Sequence, residues 1–343
     1  MNHTHDGSFD DDAPGQRPDQ DEPAAVPVAE TPVQPDSSMT PMTPAPTVTL
    51  PTSTTGDSSP QPRRTPLFEA MNAARYGRQE LIREIERNTG NVLLCMVSEH
   101  GQIQRGITTA GIVDLLHNVP HGKPIDLLLN SPGGDIDTAE KIITLIRKRA
   151  EAAPVRVIVP DYAKSAATLI ALGANQVVMS HTSELGPIDP QVELTGINGV
   201  KTTHSAQNYV DSYNKHAKRL REEPDDPVAR LMLDMLDPVV LEKLKRIMKR
   251  STVIASALLQ TAMIKDADEA DEAARQLADT NQWHSHGQMI GHEQCTKIGL
   301  KVSYQNPKSD VWESIWRLYC LQLAGLQQDH HTLFESNIAS LSL

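Results

Sequence analysis

Long apolar runs are absent from this sequence. No stretch of eighteen consecutive apolar residues occurs, so the sequence predicts no membrane-spanning helix. The N-terminus has Asp and His residues where a secretory signal peptide would need a positive start and an apolar core. We therefore expect a soluble, cytoplasmic protein.

Cysteine is also scarce. The chain has 3 cysteines, at positions 95, 295 and 320, without a C-x-x-C motif. An odd number at wide spacing argues against a disulfide framework or a zinc site and favours reduced cysteines in the core. His284 and His286 could converge on a metal only from a strand, and no third ligand stands nearby at a recognisable spacing. We expect one of them to hydrogen-bond a turn and the other to be exposed, and we predict neither a metal nor a cofactor.

Aromatic residues and positive charges are nearly missing from the first part of the chain. Met1 to Pro62 contains 12 of the 24 prolines, 8 Asp and 2 Glu against a single Arg, and one aromatic residue, Phe9. Such a segment cannot bury enough apolar surface to offset the entropy of ordering. The sequence therefore predicts a disordered acidic tail over residues 1–65, acting as a tether or recognition arm. The remainder is close to neutral, and nothing in it indicates a nucleic-acid partner.

The remainder alternates between short apolar runs and helical patterns. NVLLCMVS, IDLLLN, VRVIVP and QVVMS are typical of buried strands, and segments with helical spacing separate them. This alternation predicts an α/β fold with a parallel sheet covered on both faces, followed by additional C-terminal helices. We assign residues 66–326 to this domain and expect residues 327–343 to form a flexible extension.

Two positions suggest chemistry at the carboxyl ends of the strands. Gly133 and Gly134 follow the IDLLLN strand and precede a helix, and Ser165 stands near the start of a second, alanine-rich helix. Unpaired N–H groups of a turn and of a first helical turn attract negative charge, and ligands of such sheets bind at this edge. The two sites could together hold the oxyanion of an acyl transfer on Ser165. The alternative is that Ser165 only caps a helix and the glycines only form a turn.

The order of these motifs resembles a known family. LLLNSPGGDIDTAEKI is similar to a segment of Clp protease subunits and to the glycine loop of signal peptide peptidase A. PLFEAMNAARYGRQELIREIE, VRVIVPDYAKSAATLIALGAN and SELGPIDPQV, in this order, resemble the serine dehydrogenase proteinase family of the Clp/crotonase superfamily. HSHGQMIGHEQCTKIGLKV is similar to the closing turn and helix of signal peptide peptidases. The resemblance spans about Pro66 to Trp316, nearly the whole foldable chain.

The resemblance implies a Clp/crotonase-like fold of repeated β-β-α units and a serine peptidase that works without ATP. Ser165 would be the nucleophile, and the N–H groups of Gly134 (or Gly133) and Ala166 would form the oxyanion hole. The backbone after the two glycines would pair with an extended peptide substrate. Relatives of this fold bury their outer helices against copies of themselves, which implies a homo-oligomer.

The general base is less well defined by the sequence. Clp subunits use a histidine about two dozen residues after the serine, but the corresponding ELGPIDPQ segment has none. Signal peptide peptidases resemble Ser–Lys dyad enzymes with the lysine roughly fifty residues downstream, where Lys215 and Lys218 stand. Both could instead be solvated surface groups, and Lys164 is a third candidate. The ELGPIDPQ segment is interpreted as a structural turn, with Glu184 or Asp189 as an alternative partner that orients the base.

Two other functions compete with the peptidase. The absence of the Clp histidine favours a catalytically inactive Clp-fold scaffold that binds extended peptides. A crotonase-type acyl-CoA enzyme would use the same oxyanion hole but needs pocket carboxylates, and the helix after Ser165 offers none.

Overall fold

The computed structural model describes residues 65–98, 108–195, 198–326 and 332–343. All but the last residue of the predicted acidic tail lies outside these ranges. The elements of the first half are α1 Pro66–Met71, α2 Ala73–Thr89, β1 Val92–Ser98, α3 Ala110–His117, β2 Ile125–Asn130, α4 Ile136–Ala150, β3 Val155–Ile158, β4 Tyr162–Ala163, α5 Ala166–Leu172, β5 Gln176–Met179, β6 Glu184–Leu185, β7 Gln191–Thr195 and β8 Lys201–Ser205. Those of the second half are α6 Ala206–Glu222, α7 Pro227–Asp234, α8 Pro238–Ala262, α9 Ala267–Ala278, α10 His292–Lys297, β9 Val302–Tyr304, α11 Asp310–Gly325, β10 Thr332–Glu335 and β11 Ser340–Ser342.

The main sheet of the described residues has seven strands in the order β11-β10-β1-β2-β3-β5-β9. The strands from β1 to β9 in this order are parallel, and β10 and β11 are antiparallel additions at the β1 edge. Helices connect the parallel strands, as crossovers between parallel neighbours require. The predicted α/β fold, with a mainly parallel sheet and additional C-terminal helices, is confirmed.

Alternate side chains of β1 enter two different cores. Leu94 and Met96 pack with α3, α4, α5 and α8 on one face of the sheet. Leu93, Cys95 and Val97 pack on the other face with residues of α2 and α11. Because both faces are covered, the strands are continuous apolar runs rather than alternating ones.

A smaller apolar cluster lies apart from the two main cores. It joins Ala206 and Val210 of α6 to Leu241 and Leu244 of α8. The hairpin of β7 and β8 leads into α6, whose other faces are charged and largely exposed. Across the described ranges, no helix combines the length and the apolar character needed to cross a membrane.

The prediction of a flexible C-terminal extension is wrong for residues 332–343. Thr332–Glu335 pairs with β1, with Met96 opposite Phe334 and Val97 opposite Leu333. Leu333 and Phe334 are buried, and the Phe334 ring lies against Gly111 of α3. The segment is ordered because it covers an edge of the sheet and fills the core beside it.

Two of the cysteines are buried as predicted, and the third is not. Cys95 and Cys295 lie in the cores, whereas Cys320 is exposed on α11. Burial raises the pKa of the Cys295 thiol to about 12, and it raises the pKa of the Cys95 thiol as well. Both buried thiols are therefore protonated at neutral pH and are not nucleophiles.

Candidate active site

Asn130 ends β2 because its side chain joins two neighbouring segments. Its Nδ2 donates to the carbonyl of Ser98 at 3.3 Å, and its Oδ1 accepts from the N–H of Tyr162 at 3.0 Å. Asn130 is fully buried, so an apolar residue would leave these backbone groups without partners. The polar residue that interrupts the apolar run thus holds the end of β2 against β4.

The glycine turn and Ser165 are brought together by a short parallel bridge. The N–H of Ser131 donates to the carbonyl of Tyr162, and the N–H of Lys164 donates to the carbonyl of Ser131, both at 3.0 Å. Gly133 then passes over the backbone around Ser165. A Cβ atom on Gly133 would lie 2.7 Å from the carbonyl oxygen of Lys164, 2.8 Å from the Cβ of Ser165 and 3.1 Å from the nitrogen of Ala166. Only glycine permits this approach.

Ser165 has an unusual backbone conformation. Its φ of 52° and ψ of −119° lie outside the regions that residues with a side chain normally adopt. It immediately precedes α5, but its side chain makes no capping hydrogen bond. The interpretation of Ser165 as a simple helix cap is therefore wrong, and its half-buried hydroxyl remains available. Strained backbone of this kind costs about 1–3 kcal/mol and is typical of functional sites.

Two N–H groups beside Ser165 are open. Within the described ranges, those of Gly134 and Ala166 have no acceptor, whereas the N–H of Gly133 donates to the Ser131 hydroxyl at 3.2 Å. Ala166 is the first residue of α5, so its amide also lies at the positive end of the helix dipole. Of the two predicted glycine donors, Gly134 is the one with a free N–H.

Comparisons with known proteins assign the family. The model of the ClpP-like SDH-type serine proteinases matches residues 65–330. This chain belongs to that family. Two uncharacterized proteins of Methanocaldococcus jannaschii are also similar: MJ0137 is 34% identical over 125 residues, and MJ1495 is 30% identical over 164 residues. These matches cover 34% and 42% of this chain, and 43% and 56% of the relatives, so the chain spans about half the length of the curated relatives it matches.

Among the solved structures similar to this chain are two mutants of one other protein. A substrate-peptide complex of a mutant 1510-N membrane-bound stomatin-specific protease is 16% identical, with a TM-score of 0.21, over 57% of this chain and 83% of that one. A second mutant of the same protease is 16% identical, with a TM-score of 0.22, over 68% of this chain and 92% of that one.

The two lysines predicted as the base lie on the exposed face of α6 in this member of the family. The Lys218 side chain is 73% exposed and pairs with Glu222 at 3.8 Å. Lys215 is also exposed, and in the described part of the chain no hydrogen bond joins either lysine to Ser165. The geometry of a single chain therefore gives the predicted Ser–Lys dyad no support.

Lys164 is buried beside Ser165, but its ammonium group is directed to other partners. Its Nζ lies 2.9 Å from Glu184 and donates to the carbonyls of Leu185, Gly287 and Gln288 at 3.2–3.3 Å. It stands between β4 and α5 and is not helical. A fully engaged ammonium is a structural group rather than a proton acceptor for Ser165.

Replacing Lys164 with methionine should lower the free energy of unfolding by about 2–4 kcal/mol, because several buried acceptors would lose their donor. Urea denaturation measures this loss. The matched control is Lys218→Met, which removes an exposed lysine and should change stability little. Equal stability of the two variants would contradict the structural role of Lys164.

One pair of titratable residues joins Asp189, which the sequence offers as a turn residue or as a partner of the base, to His286, which it places in a turn. His286 Nδ1 lies 2.8 Å from Asp189 Oδ1, although the residues are 97 positions apart. Their side chains are 19% and 5% exposed. The prediction that one of the two neighbouring histidines is exposed is confirmed for His284, but His286 bonds to a distant carboxylate as well as standing in a turn.

Proposed function

We propose that this chain is a serine endopeptidase that uses Ser165 as its nucleophile and works without ATP. The observation that carries the proposal is the strained, uncapped Ser165 at the start of α5, with Gly133 pressed against it. Membership of the ClpP-like serine proteinase family supports the same reaction class.

The reaction would follow from these positions. The Oγ of Ser165 attacks the carbonyl carbon of an extended peptide while its proton passes to a base. The carbonyl oxygen becomes an oxyanion that accepts from the N–H groups of Gly134 and Ala166. Collapse of this intermediate breaks the C–N bond, and the leaving amine takes a proton. Water then hydrolyses the acyl-enzyme and restores Ser165.

Labelling with a fluorophosphonate tests the nucleophile, because these reagents modify activated serines. The full chain is treated with the reagent without nucleotide, digested and analysed by mass spectrometry, and cleavage of a peptide library is followed in parallel. We expect the label on the peptide that contains Ser165, and we expect Ser165→Ala to lose both label and cleavage. Ser212→Ala, which changes another half-buried serine, should retain both.

Two other results would contradict the proposal. Label on a different serine would remove Ser165 from the role of nucleophile. A folded wild-type protein that binds extended peptides but is neither labelled nor active would support the inactive scaffold instead.

The cytoplasmic location and the homo-oligomer stay predictions.

A further inference from the structure

Four chain segments lie side by side next to Ser165. Ser131 pairs with Ala163, and Ala163 pairs with Leu185 in parallel. Leu185 pairs in turn with Ile290, in antiparallel orientation. Two residues beyond Ala163 the chain reaches Ser165. Because Ile290 runs in the opposite direction, the residues before it extend toward the same end of this ladder.

The residues before Ile290 form the turn that carries His286. The N–H of Gln288 donates to the carbonyl of Ser285 at 3.0 Å, which places His286 at the second position of this turn. Neighbouring strands are spaced by about 4.8 Å, so the segments of Ser165 and Ile290 are separated by about 10 Å across the ladder. Serine and histidine side chains can span a gap of this order. In the described ranges no hydrogen bond joins Ser165 to His286, and such catalytic hydrogen bonds often form only when the substrate binds.

Lys164 connects the segment of Ser165 to the turn of His286 through hydrogen bonds. The residue just before Ser165 donates through its Nζ to the carbonyls of Gly287 and Gln288, which directly follow His286. Gly186 leaves room for this side chain, since a Cβ there would lie 2.6 Å from the Cδ of Lys164. Hydrogen bonds of the buried Lys164 therefore fix the segment of Ser165 relative to that of His286.

Asp189 fixes the protonation pattern of the His286 ring. A carboxylate can only accept, so Nδ1 carries the hydrogen in the neutral ring and Nε2 carries the lone pair. In the described ranges Nε2 has no partner. Asp189 also lines a cavity of about 310 Å³ together with Lys249 and Arg275.

We propose that His286 is the general base of Ser165 and that Asp189 is its positioning residue. Nε2 of His286 takes the hydroxyl proton as Oγ bonds to the peptide carbonyl. The resulting imidazolium is stabilised by Asp189 and returns the proton to the leaving amine. The inference rests on the proposed peptidase activity, and it replaces the exposed Lys215 and Lys218 in the role of base.

The rate of fluorophosphonate labelling and peptide cleavage by the full chain tests this assignment. We expect His286→Ala to lower both by about 10²- to 10⁴-fold, the usual contribution of a general base. The matched control is His284→Ala, which removes the exposed histidine two residues earlier and should react like wild type. Lys215→Ala and Lys218→Ala should also react like wild type.

Chemical rescue separates a catalytic role from a structural one. Added imidazole should restore part of the activity of His286→Ala, but none of that of Ser165→Ala. Asp189→Asn should lower kcat strongly with little change in KM, because an amide no longer fixes the tautomer of the ring. His286→Gln, which is closer in size, provides a second variant if His286→Ala unfolds.

The outcomes distinguish this inference from the peptidase proposal. If wild type is labelled on Ser165 and folded His286→Ala and His286→Gln react at the wild-type rate, the assignment of His286 is overturned and the peptidase stands. Loss of labelling in Lys215→Ala or Lys218→Ala, with His286→Ala unaffected, would return the role to a lysine. If folded wild type is not labelled at all, the peptidase proposal itself fails.

Discussion

Replacing Gly133 with alanine should lower peptide cleavage by about 10²- to 10³-fold, the effect of removing one oxyanion donor. The new methyl group would lie within 2.7–3.1 Å of Lys164, Ser165 and Ala166. Two of the three contacted atoms belong to the backbone, so relief requires moving Ser165, the proposed nucleophile, or the Ala166 amide. Gly133 also has a φ of 103°, which alanine adopts only with strain.

A substitution at a second glycine, Gly90, is the control that distinguishes the effect of the steric clash from the effect of backbone strain. Gly90 ends α2 with a φ of 73°, but nothing lies within 4 Å of a Cβ placed there. Gly90→Ala should therefore destabilise the protein modestly and leave cleavage per folded molecule unchanged. Cleavage rates normalised to the folded fraction, measured by circular dichroism, provide the comparison. Full activity in folded Gly133→Ala would mean that the turn does not contribute to the oxyanion site.

Replacing Glu335 with alanine should lower the free energy of unfolding by about 3–5 kcal/mol, since it leaves a buried guanidinium unpaired. Glu335 of β10 is fully buried and accepts two parallel hydrogen bonds from Arg78, at 2.9 Å from Nε and 2.7 Å from Nη2. Gln322 and Ser340 donate to the same carboxylate at 3.1 and 2.7 Å. The single glutamate thus joins α2, α11 and the hairpin of β10 and β11.

Urea denaturation measures this effect, with Glu80→Ala as the control. Glu80 also lies near arginines of α2, but its side chain is 60% exposed, and its removal should change stability little. Replacing both members of the buried pair, as Arg78→Met with Glu335→Leu, should recover much of the loss because no unpaired charge remains. Wild-type stability of Glu335→Ala would contradict the proposed role of the pair.

The parallel strands and their meeting point could be predicted from the sequence because both signals are local. Short apolar runs such as Ile125–Asn130 favour buried strands, and carboxyl ends of parallel strands converge at one edge. The Gly133 turn and Ser165 were expected to meet for this reason. The positive φ of Ser165 was not expected, since local propensity predicts a helix through this position.

The elements that the sequence did not predict depend on distant partners. Thr332–Glu335 is only four residues long, and its order comes from β1 and Arg78 rather than from its own pattern. Asp189 lies in the loop between β6 and β7 and His286 in a turn 97 residues later, and only the fold places them 2.8 Å apart. The lysine candidates rested on spacing in sequence, which says nothing about the direction of an exposed helix face.

The position of β10 has a consequence for how the chain acquires its structure. Ser98 of β1 bonds to Thr332 over a separation of 234 residues, and Arg78 reaches Glu335 over 257. During synthesis, the apolar edge of β1 therefore stays uncovered, and Arg78 stays without its carboxylate partner, until nearly all of the described chain has been made. Contacts of such long range slow folding and leave an open strand edge available to other chains. Folding intermediates are thus expected to aggregate through the strand edge that β10 covers in the native protein. Chaperones that bind this edge would raise the yield of the native protein.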